Sequence, residues 1–442
     1  MKLFVTIYEE TCEAAIAAIG ALRDDHDGVE IRAERWPSID LDALRRATAK
    51  PLLLTYRGSR VPDVHAALQA GIDLVDVEWQ DGVTIDVPER TVLSHHDYEG
   101  MRDVEAIAAK MLARGCAYTK LAATPQNFAD NQRLLALLLE RRAPSPAENL
   151  APKPAGEAPA APTLSVIGMG ERGLYTRILA PFRGSTLTFV AASNVAAPSQ
   201  LALSRALEIY GNTREDLHAE KVFAVVGDPA GHSLSPSIHN RLFREKRVSA
   251  AYTIASIASF TEITEAFLAG EPCGLSVTAP FKDDAFAFAQ RIGATIAPNA
   301  VEARAVNTLV NLGHEVVADN TDVDGFAALL PNAQHAAIIG AGGTARAARV
   351  ALQRAGIRAT VYNRTVEKAD APLDVLAQFD GDLVINTLPS GVAVELPRCT
   401  TYIEAAYAAE PRRVDAQQRI DGRALLDAQA VRQHELFMRI FR

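Results

Sequence analysis

The sequence has little of what would tie it to a membrane, a nucleic acid or an oxidising compartment. Four cysteines (Cys12, Cys116, Cys273 and Cys399) are scattered over 442 residues without a CxxC pair. That spacing argues against a disulfide framework and against a metal site, and it fits ordinary thiols in a reducing cytoplasm. Basic residues number 45 against 54 acidic ones, net −9, and the two signs are mixed along the chain. No basic block interleaved with aromatics is present, so a small-molecule partner is expected rather than a nucleic acid. No apolar run approaches the ~20 residues that span a bilayer. The start, "MKLFVTIYEE", turns acidic after one short apolar run and does not read as a signal peptide.

What is present is the composition of a soluble globular protein, 48% hydrophobic and 22% charged. The length points to two or three domains. Before residue 143, apolar β-like runs recur: "KLFVTIY" (2–8), "GVEIRAE" (28–34), "PLLLTYR" (51–57), "DLVDVEW" (73–79), "TVLSHHD" (91–97) and "AYTKLAA" (117–123). Most are separated by amphipathic helical patterns such as "TCEAAIAAIGALRDD" and "MRDVEAIAAKMLARG". The connector "QDGVTIDVPER" (80–90) is too short for a full helix. Alternation of strand and helix predicts a parallel α/β sheet.

Residues 143–162, "APSPAENLAPKPAGEAPAAP", carry six prolines and look like a domain border. A structureless loop of about 20 residues inside a domain normally argues against an assignment. The strand count argues otherwise. Two more strands follow, "LSVIGMG" (164–170) and "LTFVAAS" (187–193), with helical segments near 174–181 and 199–210. Six and two make the eight strands that close a parallel barrel. The stretch is therefore read as an insertion, and the first domain as 1–215.

Polar residues cluster at the C-terminal ends of these strands, where the mouth of such a barrel lies. They include Glu30, Arg32, Arg57, Glu78, His96 and Lys120, with Arg177 and Gln200 after the last two strands. A lysine between apolar walls and near other cations can be partly neutral and attack a carbonyl. His96 is a natural proton carrier, Glu78 can orient it, and Arg177 suits a carboxylate.

The segments "EIR", "LLLTYR", "DVEW", "SHHDY", "TKLAAT" and "MGERGLYTR" resemble type I 3-dehydroquinate dehydratase over roughly 1–205. The resemblance implies that Lys120 forms a Schiff base with the substrate ketone. It makes His96 the proton carrier and Glu78 its orienting partner. Glu30, Arg32 and Arg57 would hold hydroxyls, and Arg177 and Gln200 the carboxylate side. Thr6 stands where the family usually has a serine. The family's SAPGQ reads "AAPSQ" (196–200), so Ala196 lacks a hydroxyl and Ser199 replaces glycine.

A second α/β block starts near 221. "HAAIIGAGGTARAARVALQRAG" (335–356) reads as strand, Gly-rich turn and helix, a dinucleotide-binding arrangement whose helix start suits a pyrophosphate. After the next strand comes Asn363-Arg364-Thr365, where an NAD site would place an acid. A cation there favours NADP.

"GHSLSPSIHN", "LSVTAPFKDD", "EARAVNTL" and "ADNTDVDGF" place polar groups on loops beside apolar strands. Taken singly, these are helix caps and turns, with Ser235 and Asp322 as candidate helix starts. Together with the Gly-rich turn they resemble shikimate dehydrogenase over roughly 220–442. The resemblance makes Lys282 and Asp322 the catalytic pair. Ser233 and Ser235 would bind a carboxylate, and Thr278, Asn307, Tyr407 and Gln429 ring hydroxyls. The cofactor set would be Gly340, Ala341, Gly342, Gly343, Thr344, Asn363, Arg364, Thr365, Lys368, Asn386, Thr387 and Gly391, with NADP bound and no metal. Ser276 stands in place of the family's asparagine, and Glu404 in place of its usual aspartate.

The expected architecture is an α/β chain: a (β/α)8 TIM barrel fused to a two-lobed dehydrogenase. The substrate lobe spans 216–325, completed by a helix at about 420–442, and the Rossmann NADP lobe spans 326–420. The expected activity is dehydration of 3-dehydroquinate followed by reduction of 3-dehydroshikimate, in the cytoplasm. Quinate as the second substrate, or one half serving as an inactive scaffold, are the competing readings.

Overall fold

The computed structural model describes residues 1–36, 38–57, 63–139, 163–212, 214, 217–407 and 412–442. Two compact units are formed. One comprises Met1–Lys221 and Pro229–Ala258, the other Val222–Asp228 and Ser259–Arg442.

In the first unit eight parallel strands run β1 (Lys2–Ile7), β2 (Gly28–Arg32), β3 (Leu52–Thr55), β4 (Leu74–Glu78), β5 (Thr91–Asp97), β6 (Tyr118–Ala123), β7 (Thr163–Gly168) and β8 (Leu187–Ala191). Their order is β7-β6-β5-β4-β3-β2-β1-β8. The strands are buried along nearly their whole length, which is why they read as continuous apolar runs rather than alternating ones. Phe4, Leu53, Val92, Ala122, Ile167, Leu187 and Phe189 form one core cluster drawn from six of these strands.

The ring is nearly closed. Among the described residues no ladder joins β7 to β8; one backbone bond, from the Thr186 amide to the Leu164 carbonyl at 3.3 Å, and several hydroxyls cross the seam instead. Ser165 accepts from the Leu187 amide at 2.8 Å, Ser185 accepts from Val166 at 3.2 Å, and Ser165 meets Thr186 at 3.1 Å.

Helices α1 (Cys12–Gly20), α2 (Leu41–Ala47) and α3 (Val64–Gln69) start at Thr11, Asp40 and Asp63, whose side chains accept from the backbone three residues on. The β4–β5 connection holds only a 3-10 turn at Pro88–Arg90, in keeping with its short sequence. Then follow α4 (Val104–Leu112), α5 (Phe128–Leu139), α6 (Leu174–Leu179) and α7 (Leu203–Tyr210). The Pro-rich stretch 143–162 lies outside the described residues. Of the elements flanking it, α5 ends at Leu139 and β7 begins at Thr163 and pairs in parallel with β6. The chain on its far side therefore continues the same sheet.

The first unit also contains α8 (Ser235–Lys246) and β10 (Ala250–Ser256). They pack on α7 and α6 respectively.

The second unit has two sheets. In one, β9 (Lys221–Gly227), β11 (Gly274–Val277), β13 (Thr308–Asn311), β14 (Val316–Asp319) and β12 (Thr295–Ile296) lie side by side in that order. β9–β11 is parallel, while β11–β13 and β13–β14 are antiparallel. The other sheet is wholly parallel. Its order is β17 (Ala371–Pro372), β16 (Arg358–Asn363), β15 (His335–Ile339), β18 (Leu383–Asn386), β19 (Cys399–Glu404) and β20 (Ala416–Ile420). The chain runs outward in both directions from β15, so a crevice opens at the C-terminal ends of the central strands. The helices are α9 (Thr261–Leu268), α10 (Lys282–Arg291), α11 (Pro298–Ala303), α12 (Asp322–Leu329), α13 (Gly343–Arg354) and α14 (Gly422–Phe437). Among the described residues no helix is long and apolar enough to cross a membrane.

Candidate active sites

In the barrel, alternation along each strand turns every second residue inward. On β4 that face carries Asp76 and Glu78, and on β5 it carries Ser94 and His96. Parallel register sets Ser94 beside Glu78 on one side and beside Lys120 on the other. The result is a charged cluster inside an apolar ring.

Lys120 Nζ lies 3.7 Å from Glu30 Oε1 and 3.8 Å from Asp76 Oδ2, and it sits 4.1 Å from the centre of the Phe189 ring. Burial pulls its pKa below the usual lysine range. The charges of Arg57 and Arg32 act in the same direction, while Glu30 and Asp76 oppose them. Burial thus shifts the amine in the direction a nucleophile requires.

Arg57 makes a bidentate pair with Asp76, at 2.6 and 2.9 Å, and its Nη2 reaches His96 Nε2 at 3.3 Å. An arginine can only donate, so Nε2 of His96 accepts and its proton sits on Nδ1. Nδ1 then donates to Glu78 Oε2 at 2.7 Å, and Glu78 Oε1 takes the His96 amide at 2.8 Å. Glu78 fixes the ring as the sequence suggested. Burial and the Arg57 charge bring the His96 pKa down to about 4, against the pull of Glu78. The imidazole is neutral near pH 7, with its lone pair on Nε2.

Asp76, missed in the sequence, is the hub of this cluster. Its side chain is fully buried and also takes the Ser94 hydroxyl at 2.6 Å. The readable signal was an acid two residues before Glu78 on an otherwise apolar strand.

Glu30 accepts from Thr6 at 2.7 Å and from Thr55 at 3.1 Å. Gln200 donates to Thr6 at 2.9 Å and accepts the Ala196 amide at 3.0 Å, closing the 196–200 loop onto β1. In that loop Ser199 has φ 55°, the left-handed conformation that suits the glycine it replaces. Arg32 turns to Glu34 at 2.5 Å and to the Ala196 carbonyl at 3.5 Å, away from Lys120. Arg177 is buried, donating to the Gly168 and Pro198 carbonyls at 3.0 and 3.2 Å, and burial lowers its pKa to about 10. A Cβ on Gly168 would lie 2.2 Å from the Gly173 carbonyl oxygen, so only glycines allow the turn that brings Arg177 back under β7.

Ser233 and Ser235 lie in this first unit, at the turn leading into α8, and both are buried. Ser235 is the first residue of α8 rather than its cap. The turn is tied to neighbouring elements. Glu171, in the β7–α6 loop, accepts from the Gly231 amide at 2.6 Å and from Ser256 at 2.7 Å, and Arg205 of α7 donates to the Ser233 carbonyl at 2.7 Å.

In the second unit Lys282 opens α10 and Asp322 opens α12. Lys282 Nζ donates to Asp322 Oδ2 at 2.5 Å and to Thr344 at 2.8 Å. Asn307 donates to Asp322 Oδ1 at 2.9 Å and accepts the Thr321 amide at 2.8 Å. Gln429 of α14 accepts from Thr321 at 2.8 Å. Residues from separate stretches of the chain thus form one connected polar network. Thr278 is half-buried at the end of β11. Tyr407 borders a separate cavity of about 350 Å³. Ser276, in place of the family's asparagine, donates to Gln433 at 2.7 Å, so α14 occupies its hydroxyl.

Gly340 follows β15 with φ 105°, and a Cβ there would lie 2.5 Å from the Thr387 hydroxyl. Gly342 precedes α13 without a side-chain cap, and a Cβ on Gly343 would crowd the Lys282 side chain at 3.1 Å. This bare helix start, crowded at Gly340 and Gly343 and open at Gly342, fits a dinucleotide pyrophosphate. Beside it is a cavity of about 820 Å³ lined by Ala341, Gly342, Asn363, Thr365 and Lys368, and also by Arg304, Arg346 and Arg349. Arg364 is exposed and is not among those lining residues. Arg346 and Arg349 form an i, i+3 pair on α13, a spacing readable in the sequence. Thr387 donates to the Ile339 carbonyl at 2.7 Å, Gly391 has φ 94°, and Asn386 is fully buried beside Tyr402. No cluster of metal-ligating side chains occurs among the described residues.

Fold and sites together define a pair of α/β catalytic modules on one chain: a barrel built around a buried lysine and a dinucleotide-binding module with a Lys–Asp pair. Residues 3–216 match the type I 3-dehydroquinase family and 225–309 the shikimate dehydrogenase substrate-binding domain. In its second module the chain belongs to the shikimate dehydrogenase family.

Its relatives include the bifunctional 3-dehydroquinate dehydratase/shikimate dehydrogenase, chloroplastic, of Arabidopsis thaliana, 26% identical over 78% of this chain. The chain spans 61% of that relative's length. The shikimate biosynthesis protein AroDE of Chlamydia pneumoniae is 28% identical over 83% of this chain and 79% of its own. The shikimate dehydrogenase (NADP(+)) of Vibrio campbellii is 34% identical over 41% of this chain and 72% of its own.

Proposed function

We propose that the chain catalyses two consecutive reactions: dehydration of 3-dehydroquinate to 3-dehydroshikimate in the barrel, and reduction of that ketone to shikimate in the second module. The observation carrying the first reaction is the Lys120–Asp76–Arg57–His96–Glu78 cluster.

The neutral amine of Lys120 adds to the substrate ketone, and loss of water gives an iminium that acidifies the adjacent C–H. His96 Nε2 takes that proton, the electron pair returns toward the iminium, and His96 then gives a proton to the departing hydroxyl. Hydrolysis of the conjugated imine frees Lys120. The net change is one water lost. Glu78 holds the Nδ1 proton throughout, so Nε2 is the atom that takes the proton and returns it. Glu30, Arg32 and Arg57 are assigned to hydroxyls, and Arg177 and Gln200 to the carboxylate side.

For the second reaction, Lys282 is assigned to pass a proton at the ketone oxygen, with Asp322 holding its ammonium and Asn307 holding Asp322. Thr278, Tyr407 and Gln429 are assigned to ring hydroxyls. The Gly340–Thr344 turn, Asn363, Thr365 and Lys368 are assigned to NADP(H), which supplies the hydride when bound. Arg346 and Arg349, on the same cavity, add positive charge where the extra phosphate of NADP is accommodated.

Borohydride reduction in the presence of 3-dehydroquinate tests the barrel chemistry. A stable adduct on Lys120, absent from Lys120→Ala, is expected. No adduct on the wild-type chain overturns the imine mechanism.

A further inference from the structure

Glu404 stands where the family usually has aspartate, and its side chain has a structural task that the extra methylene makes possible. The carboxylate takes the Tyr402 hydroxyl at 2.6 Å and lies 3.3 Å from Asn386 Nδ2 and 3.1 Å from Arg412 Nε. Both members of the ion pair are largely buried, at 12% and 16% side-chain exposure. Arg412 spends its two other nitrogens on a single loop, donating to the Pro389 carbonyl at 2.6 Å and to that of Val392. The far side of this loop is fixed separately. The Thr387 amide and hydroxyl both donate to Ile339, and the Leu388 amide donates to Asn386. Thr387 and Leu388 in turn cover Gly340, the first glycine of the dinucleotide turn.

We infer that Arg412, held by Glu404, is a positioning residue for the cofactor: it sets the 387–392 loop against the Gly340 turn. The inference rests on the dinucleotide reading proposed above. Arginine suits the task because one planar group donates to two carbonyls while its charge pairs with a carboxylate. Glutamate suits it because a shorter acid on the same backbone would not reach both Asn386 and Arg412. Without the clamp the loop keeps its Thr387 end and loses its Gly391 end, so the cofactor meets a surface it must order itself. That ordering cost is charged to binding.

The test uses the full chain, with NADPH binding followed by titration and NADP-dependent shikimate oxidation followed by rate. Arg412→Ala is expected to raise the NADPH Kd and the KM for NADP by about tenfold, the loss of one buried charge-assisted contact. The KM for shikimate is expected to change less than the KM for NADP, since the hydrogen bonds and ion pair of Arg412 go to the 389–392 loop and to Glu404, while Tyr407 only shares a cavity with it. Arg412→Lys reaches one carbonyl at a time and should recover part of the affinity. Glu404→Asp, which keeps the charge and shortens the arm, should weaken NADPH binding in the same direction and serves if Arg412→Ala fails to fold.

A folded Arg412→Ala that binds NADPH as the wild type does, with only a lower melting temperature, overturns the inference. Failure of the wild type itself to bind NADPH overturns instead the dinucleotide reading beneath it.

Discussion

Replacing Asp76 by asparagine removes one charge from the centre of the barrel and keeps the side chain's shape. In the native chain this fully buried carboxylate faces Arg57 in a bidentate pair, Lys120 at 3.8 Å and the Ser94 hydroxyl at 2.6 Å. Arg57 and Lys120 hold it far below the usual carboxylate range against the cost of burial. The Asp76→Asn change would leave Arg57 with Glu78, 3.5 Å away, as its remaining acidic neighbour. Breaking a buried ion pair on one side costs about 3–5 kcal/mol, because the remaining charge stays desolvated. The asparagine oxygen still accepts, returning about 1 kcal/mol. The expected loss is therefore roughly 3 kcal/mol, a large part of a domain's stability. For a unit of this size that lowers the melting temperature by roughly 6–12 °C.

Dehydratase turnover should fall as well, because Arg57 no longer has two oxygens fixing it beside His96. Scanning calorimetry and initial rates on the same preparation measure both. A Ser94→Ala variant, losing one hydroxyl contact, should cost only about 1 kcal/mol. If Asp76→Asn costs less than about 1 kcal/mol and turns over at the wild-type rate, the charge-balance account of this site is wrong.

With His96 depressed to about 4, the acid limb of dehydratase kcat/KM should lie near pH 4 rather than near 6.5. The same depression means His96 favours folding above pH 6.5, and that contribution, about 3 kcal/mol, is lost as pH falls toward 4, as urea melts at stepped pH would show. Ser199→Gly should raise stability by roughly 0.5–1 kcal/mol, the relief of a left-handed serine less the added chain entropy, and a drop in the urea midpoint would contradict it. Gly340→Ala should abolish NADPH binding and destabilise the second unit by ~2 kcal/mol or more, since its Cβ would press on Thr387 in a backbone region that alanine avoids.

Much of the barrel was legible because its strands are buried on both sides and separated by capped helices. Those patterns are local. The seam between β7 and β8 was not legible, since hydroxyls of Ser165, Ser185 and Thr186 replace the ladder. His96 and Glu78 could be paired from sequence because each lies at a strand end on neighbouring strands. Asp76 could not be weighed, because one acid in an apolar strand gains meaning only when the ring brings Arg57 and Lys120 to it. Contacts across long separations were likewise invisible: Ser276 with Gln433, Glu171 with Gly231, and Glu404 with Arg412. The packing of α8 on α7 and of β10 on α6 belongs to the same class, since nothing local in "SPSIHNRLFREK" or "AAYTIAS" names the partner. The phosphate-side cations illustrate the limit. Arg364 has the expected place in the chain, yet Arg346, Arg349 and Lys368 line the cavity.

The central claim is that one chain carries both steps in sequence, and following NADPH absorbance after adding 3-dehydroquinate tests it most directly. The wild type should consume NADPH. Lys120→Ala should not, but should do so again when 3-dehydroshikimate is supplied, whereas Lys282→Ala should be severely slowed with either compound. Steady NADPH consumption by Lys120→Ala on 3-dehydroquinate alone would contradict the account, as it would mean the second module reduces that ketone without the barrel.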